Sequence, residues 1–397
     1  MKKVCIDLTN IVPGKGGTGG GIATYGKELV LGIDELLGSR ADLREEFSVT
    51  VLLNTNTYRN LELKYLTCHY FEVNNQNLLS RMIWLQMRLP RFLKFQKMDM
   101  LHRILSEMPI WKVCKYAVTV HDLMFEFYLS RPKYSKYLSL KNRIKFKILD
   151  GLLSKAIQTS DLVITNSHST TNDLKERFWK IESKLSSVPL GYSQSSFLKL
   201  EQMVEKSDQV IRFGVIAAFH PHKGHLQVVG MAQRMVELGY ENDFHFYFRG
   251  SPVYQKYYDE IKNSISERDL DCYFTFEEYD PGVTLATIYN RYSATILLSD
   301  YEGFGLPVIE SQAYSRPVIC STIPVFHEIL GSSAIFVDKV PTDEQINKLM
   351  SDLKDTDFRA SLVERGKLNA SQYTWNSTCR NTMNSYSETL GLPLMFS

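Results

Sequence analysis

The stretch LLSDYEGFGLPVIESQ, residues 297–312, sets two carboxylates, Glu302 and Glu310, around a run that is otherwise mostly Gly, Phe, Leu, Pro, Val and Ile. Gly303 and Gly305 permit tight backbone geometry and close approach of a ligand. Pro307 suits the first turn of a helix, where its missing N–H costs nothing. A helix start presents unpaired N–H groups and a partial positive charge, so the stretch offers an anion site, usually one for phosphate. Glu310 falls in the first turn and leans back toward that ligand, with Glu302 in the loop before it. Acids beside a phosphate site do not attract phosphate. They accept hydrogen bonds from hydroxyls, as on a sugar and a ribose. The plainer alternative is a helix that merely favours acid near its start.

Further constellations could do related chemistry. FGVIAAFHPHKGHLQVV, residues 213–229, carries Lys223 with His220, His222 and His225. A metal site would have to be built on a short loop with no accompanying Cys or carboxylate, so Lys223 at a helix start, binding phosphate as a mobile point charge, is the better reading. TVHDLMFEFY, residues 119–128, puts His121 and Asp122 directly after a strand, which fits general acid–base work or a capping Asp beside a loop His. PGKGGTGGGIATY, residues 13–25, is a glycine-rich loop that approaches phosphate through its backbone or is flexible without ligand.

These residues need elements to hold them. KKVCIDLT, FSVTVLLN, YAVTVHD, SDLVITNS and LSSVPLG read as strands, separated by helical patterns such as GIATYGKELVLGIDELLG. A polar stretch near 194–209 breaks the alternation. It restarts with IRFGVIAA, DFHFYFRG, CYFTFEEY, ATILLS and RPVICS as strands. The expected fold is therefore α/β, two Rossmann-like doubly wound domains facing a central cleft. Residues 1–200 form one domain and residues 205–375 the other.

The chain has 397 residues, enough for two ordinary domains. No apolar run reaches the length of a membrane span, and MKKVCIDLTN reads as a first strand rather than a signal peptide. Six scattered cysteines without a C-x-x-C fit a reduced, cytoplasmic protein. Charge is uneven: residues 1–200 hold 29 Lys and Arg against 18 Asp and Glu, and residues 201–397 hold 17 against 26. Within the basic half, residues 80–97 and 131–157 interleave Arg and Lys with apolar side chains. That pattern lies on anionic membrane, or packs an ordinary apolar helix face on the sheet. Nucleic-acid binding is not expected, because a basic and aromatic groove signature is missing.

Glu302 to Glu310 matches the E-x7-E signature of retaining GT-B glycosyltransferases, and the chain resembles the GT-4 family, the glycosyltransferase group 1 of bacterial surface-polysaccharide synthesis. The likeness takes in GGIATY, TVHDL, SDLVITNSHST, VPLGY, HKGH, EGFGLPVIE and RPVICS. It implies that residues 1–200, with a helix at about 376–397 returning to them, are the acceptor side, that residues 205–375 bind the nucleotide sugar, that Glu310 holds the ribose and that Glu302 lies by the donor sugar. The backbone of Phe304, Gly305 and Leu306 would face sugar and phosphate. Lys223 would bind the diphosphate, Gly20 and Gly21 would approach it, and His121 would contact the transferred sugar. The family's usual diphosphate-binding Arg is Ala218 here, for which His220, His222 or Arg249 could substitute; Ser311 and Ser315 depart from the usual Ala and Gly.

The resemblance implies transfer of a sugar, with a lean to mannose from GDP-mannose, to a hydroxyl of a lipid-linked or oligosaccharide acceptor. The configuration is retained, and neither metal nor cofactor is needed, the nucleotide sugar being a substrate. A peripheral site on the inner face of the cell membrane would suit that acceptor. The competing readings are a GT-B nucleotide-sugar epimerase and a catalytically silent nucleotide-sugar-binding partner.

Overall fold

The structure, a computed structural model, describes residues 1–12, 20–57, 61–192, 210–278, 280 and 282–396. Gly14, Gly16, Gly17 and Gly19 of the glycine loop and the interdomain stretch 194–209 lie outside the described residues. The chain forms two compact units, one of Met1–Pro132, Ser139–Gly191 and Thr374–Ser397, the other of Lys133–Leu138 and Tyr192–Tyr373. Lys133–Leu138 fall inside the range expected for the N-terminal domain, yet they cluster with the second unit.

The first unit is built on a parallel sheet of β1 (Lys2–Asp7), β2 (Phe47–Asn54), β3 (Thr67–Phe71), β4 (Met100–Arg103), β5 (Lys115–Val120), β6 (Leu162–Thr165) and β7 (Leu185–Ser187), in the order β3-β2-β1-β4-β5-β6-β7. Val4, Ile6, Val51, Leu101, Val118 and Val163 are fully buried, as strands covered on both faces require. The order reverses between β1 and β4, so a crevice opens at their carboxyl ends. β3 and β4 are additions to the strands expected from sequence. β3 is a half-exposed edge strand, and β4 (MLHR) reads as polar although all its residues are buried. The helix Trp375–Leu390 packs on the helix Gly21–Ser39, where a Cβ on Gly32 would lie 2.5 Å from Cys379 Sγ.

The second unit repeats the plan with β8 (Ile211–Ile216), β9 (Phe244–Arg249), β10 (Phe274–Glu277), β11 (Ala294–Leu297), β12 (Val318–Ser321) and β13 (Ile335–Val337), all parallel, in the order β10-β9-β8-β11-β12-β13. Its core is aromatic: Phe213, Phe246 and Phe248 are fully buried against Val228, Met235 and Ile261. Each such side chain contributes about 1.5–3 kcal/mol by leaving water. Here the reversal falls between β8 and β11, and both strands run out into loops that carry site residues.

Candidate functional site

After β8 the chain makes one short 3-10 turn, Pro221–Lys223, and enters the helix His225–Glu237 through Gly224. Gly224 has φ +79°, and a Cβ there would lie 2.0 Å from the Leu298 carbonyl, so no other residue fits between the two strand ends. This tight passage sets Lys223 beside the loop that follows β11. Lys223 Nζ donates to both oxygens of Glu302 at 2.7 Å, and Ser299 Oγ donates to Glu302 Oε1 at 2.7 Å. Glu302 is buried and Lys223 half-buried, so this charge-assisted pair is shielded from water.

The Glu302 loop is pinned one turn earlier. Asp300 N–H donates to the His222 carbonyl at 2.7 Å. Its carboxylate pairs with Lys339 at 2.7 Å and Lys133 at 3.2 Å, and accepts the Tyr134 hydroxyl. Burial works against the charge, but Lys339, Tyr134 and Lys133 hold the Asp300 carboxyl below its ordinary range. No sequence signal pointed to this clamp, because Lys133 and Tyr134 stand over 160 positions before their partner in the chain. A cavity of roughly 590 Å³ lies along the same segment, but Lys136 and Arg234 in its wall are already paired with Glu260 and Asp343.

The second acid sits differently from the sequence expectation. The helix begins at Leu306, with Pro307 in its first turn as expected and Gly305 as its left-handed cap at φ +97°. Glu310 therefore lies in the second turn and not the first. It is half-buried, and Tyr289 Oη donates to its Oε2 at 2.8 Å. Burial pushes the Glu310 carboxyl up, and the Tyr289 bond pulls it back in part. Tyr289 is fully buried and stacked on Tyr314 at 5.3 Å, so it fixes one carboxylate oxygen firmly. Phe304 buries its ring against Tyr373, while Leu306 is half-buried at the helix start.

The histidines around Lys223 are not cations. Burial and the Lys223 charge hold His220 down to about 4 and keep His222 well below the ordinary value. His225, fully buried, is held down to about 3, chiefly by burial. His222, directly before Lys223 in the chain, is only 2% exposed. Neutral histidines at neutral pH do not replace the positive charge absent at Ala218. Arg249, at the end of β9, is the buried cation nearest in the sheet, since Ile216 and Arg249 pair across β8 and β9. It bonds Glu277 Oε2 at 3.1 Å, where Arg291 and Tyr292 also converge, and its Nη2 has no hydrogen-bond partner among the described residues. Among the described residues, no group of three or more His, Cys, Asp or Glu is placed to hold a metal.

In the first unit, His121 follows β5 and is half-buried. Its Nε2 lies 3.3 Å from the Ile104 carbonyl, and Asn166 Nδ2 donates to its backbone carbonyl at 2.9 Å. Burial holds its imidazole down to about 4, with the Ile104 carbonyl pulling the other way. The ring is thus neutral at neutral pH, with Nε2–H donating to Ile104. Asp122 Oδ1 accepts Met124 N–H at 2.9 Å, an Asx turn just ahead of the helix cap at Leu123. Gly20 caps the helix Gly21–Ser39, and both glycines are exposed. At the β1–β4 reversal lies a pair unforeseen in the sequence: Arg103, 1% exposed, bonds Asp7, which also takes Thr9 N–H and Oγ1–H.

Two parallel sheets of Rossmann order, one in each unit, are the plan of the GT-B fold. The Anabaena protein HepE, in a structure with UDP and glucose, superposes with a TM-score of 0.64 at 15% identity, covering 98% of this chain and 100% of that one. Residues 199–369, the greater part of the second unit, match the model for glycosyl transferases group 1. The O-antigen chain mannosyltransferase B of Escherichia coli is 27% identical over 134 residues, 34% of this chain and 35% of that protein. The O-antigen chain mannosyltransferase RfbU of Salmonella typhimurium is 24% identical over 241 residues, 58% of each. The chain thus spans between a third and three-fifths of those relatives.

Proposed function

We propose that the chain is a retaining glycosyltransferase that moves mannose from GDP-mannose to a hydroxyl of a lipid-linked or oligosaccharide acceptor. The observation that carries it is the shielded Lys223–Glu302 pair at the β8–β11 reversal, held by Ser299 and beside the helix start at Leu306. Leaving of a nucleoside diphosphate from an oxocarbenium-like centre needs fixed positive charge at the phosphates. Lys223 and the N–H groups of the helices opening at His225 and Leu306 supply it within the second unit. Glu302 holds Lys223 in place before the donor arrives and then accepts donor-sugar hydroxyls. Glu310, one oxygen fixed by Tyr289, offers the other to the ribose. The leaving phosphate takes the acceptor proton on the same face, so no protein base is invoked. His121 contacts the transferred sugar as a neutral donor or acceptor. Neither metal nor cofactor is required in this scheme.

Mannose is supported by the two O-antigen mannosyltransferases among the relatives. Incubation with GDP-mannose, UDP-glucose and UDP-N-acetylglucosamine, with release of nucleoside diphosphate as readout, tests the proposal. GDP-mannose should be consumed fastest. No release above a Lys223→Ala control with any donor would refute a transferase.

The acceptor side supports a lipid-linked substrate at the cytoplasmic leaflet. Among the described residues no helix is long and apolar enough to cross a membrane. The segment Leu78–Phe95 buries Trp84, Leu85, Leu89 and Leu93, yet leaves Leu78, Leu79, Met87 and Phe95 exposed among Arg88, Arg91 and Lys94. On the helix Leu140–Thr159, Leu140, Ile144, Ile148 and Leu152 are all exposed at four-residue spacing, flanked by Lys141, Arg143, Lys145 and Lys147. Apolar side chains ringed by cations match the chemistry of an anionic bilayer surface. Residues 131–157 do not act as one patch, however, because Lys133 and Lys136 bond Asp300 and Glu260.

A further inference from the structure

The first unit holds a buried polar chain that the proposed transfer does not use. Tyr386 Oη, on the helix Trp375–Leu390, lies 2.6 Å from His102 Nδ1. His102 Nε2 lies 2.8 Å from Thr119 Oγ1, which lies 3.1 Å from Tyr25 Oη. The Tyr25 ring then meets His121 edge-on, 5.1 Å between centroids and 81° between planes. Tyr386, His102, Thr119 and Tyr25 are each at most 3% exposed, and they come from the returning helix, β4, β5 and the helix Gly21–Ser39.

Such a chain is costly to bury and contributes little net stability over apolar side chains of the same shape. A buried network whose members are paired specifies one arrangement of the elements that meet there. What this one arranges is His121. Among the described residues the His121 ring makes a single hydrogen bond, the 3.3 Å contact to Ile104, so its orientation depends on the ring packed against it. That ring, Tyr25, is held at its hydroxyl by Thr119 and flanked by Trp375 at 6.3 Å, again from the returning helix.

We infer that Tyr386–His102–Thr119–Tyr25 is a positioning relay, through which docking of the helix Trp375–Leu390 sets the orientation of His121. None of its members touches substrate. The inference rests on the role proposed for His121, but its primary readout does not require turnover. Burial keeps His102 neutral, with its pKa held down to about 3, so the relay does not switch with pH in the working range.

Tyr386→Phe removes one hydroxyl and keeps the ring. In protein labelled at histidine nitrogen, the His121 ring resonances should shift, although Tyr386 reaches His121 only through other side chains. The kcat should fall by about 3- to 10-fold, with donor KM within about twofold, as expected for one lost positioning bond. Adding Tyr386→Phe to His121→Ala should lower kcat no further than His121→Ala alone. Thr119→Val should act as Tyr386→Phe does and Thr119→Ser should restore; this pair carries the test should Tyr386→Phe fail to fold. Unmoved His121 resonances, or losses that add in the double variant, would overturn the relay. A wild-type chain that releases no nucleotide would sink the transferase reading, while the resonances would still decide the relay.

Discussion

Lys223 in the resting protein spends its charge on Glu302, through two bonds of 2.7 Å. In the proposed transfer a donor diphosphate takes over part of that charge, and the neighbouring His220 and His222 are neutral. Lys223→Ala should lower kcat by about 100-fold or more, the usual loss when a fixed charge-stabilising group is removed. Steady-state nucleotide release measures it. Glu310→Ala should weaken nucleoside diphosphate binding by about 1.5–3 kcal/mol, because a charged acceptor is lost. Calorimetry with GDP reads this directly, and an unchanged affinity would remove the ribose assignment. Lys223, Glu302 and Glu310 were legible in sequence because loop glycines and a proline bracket them. Ser299, Tyr289 and Tyr134 were not: hydroxyls and tyrosines are common, and their roles arise only from packing across the fold.

At the scale of elements, the passage from β8 into the helix His225–Glu237 is the most constrained junction. Gly224→Ala should cost about 2 kcal/mol or more, combining a left-handed backbone with a clash on the Leu298 carbonyl. Thermal unfolding would show it, and loss of turnover should accompany it because Lys223 precedes the glycine. β4 and the same helix also carry fully buried histidines, His102 and His225, each held down to about 3 by burial. They stay neutral when folded but take up protons when unfolded. Stability is therefore intact above the unfolded value near ~6.5, and falls with pH by about 1.4 kcal/mol per unit for each histidine in the window below it. Melting temperatures from pH 7 to pH 5 should drop, and His102→Gln should flatten that slope. The strands with continuous apolar runs were readable. β4 was not, because His102 and Arg103 are buried for hydrogen bonds and an ion pair that only tertiary structure supplies.

For the whole molecule, the alternation of strands and helices made the doubly wound plan legible, and the charge asymmetry made the basic half conspicuous. Which basic residues remain available was hidden: Arg88, Arg91 and Lys94 are exposed, whereas Lys133 and Lys136 are engaged in the second unit. Sedimentation with vesicles should show binding that requires anionic lipid and weakens with salt, each cation contributing about 1 kcal/mol or less. Changing Arg88, Arg91, Lys94 and Lys97 together to Ser should reduce it, and equal recovery with neutral and anionic vesicles at low salt would refute membrane docking.

The first unit is assembled from three separated pieces, the last being Thr374–Ser397, and the helix Trp375–Leu390 lies against the helix Gly21–Ser39. On the ribosome, the first unit therefore waits. Its opening helix emerges early, yet the surface that covers it is translated only after the entire second unit. Until then the face of that helix at Gly32 lacks Cys379, the side chain that packs on it. It also means that all of the second unit, nearly contiguous, is synthesised before the half that begins the chain has its last piece.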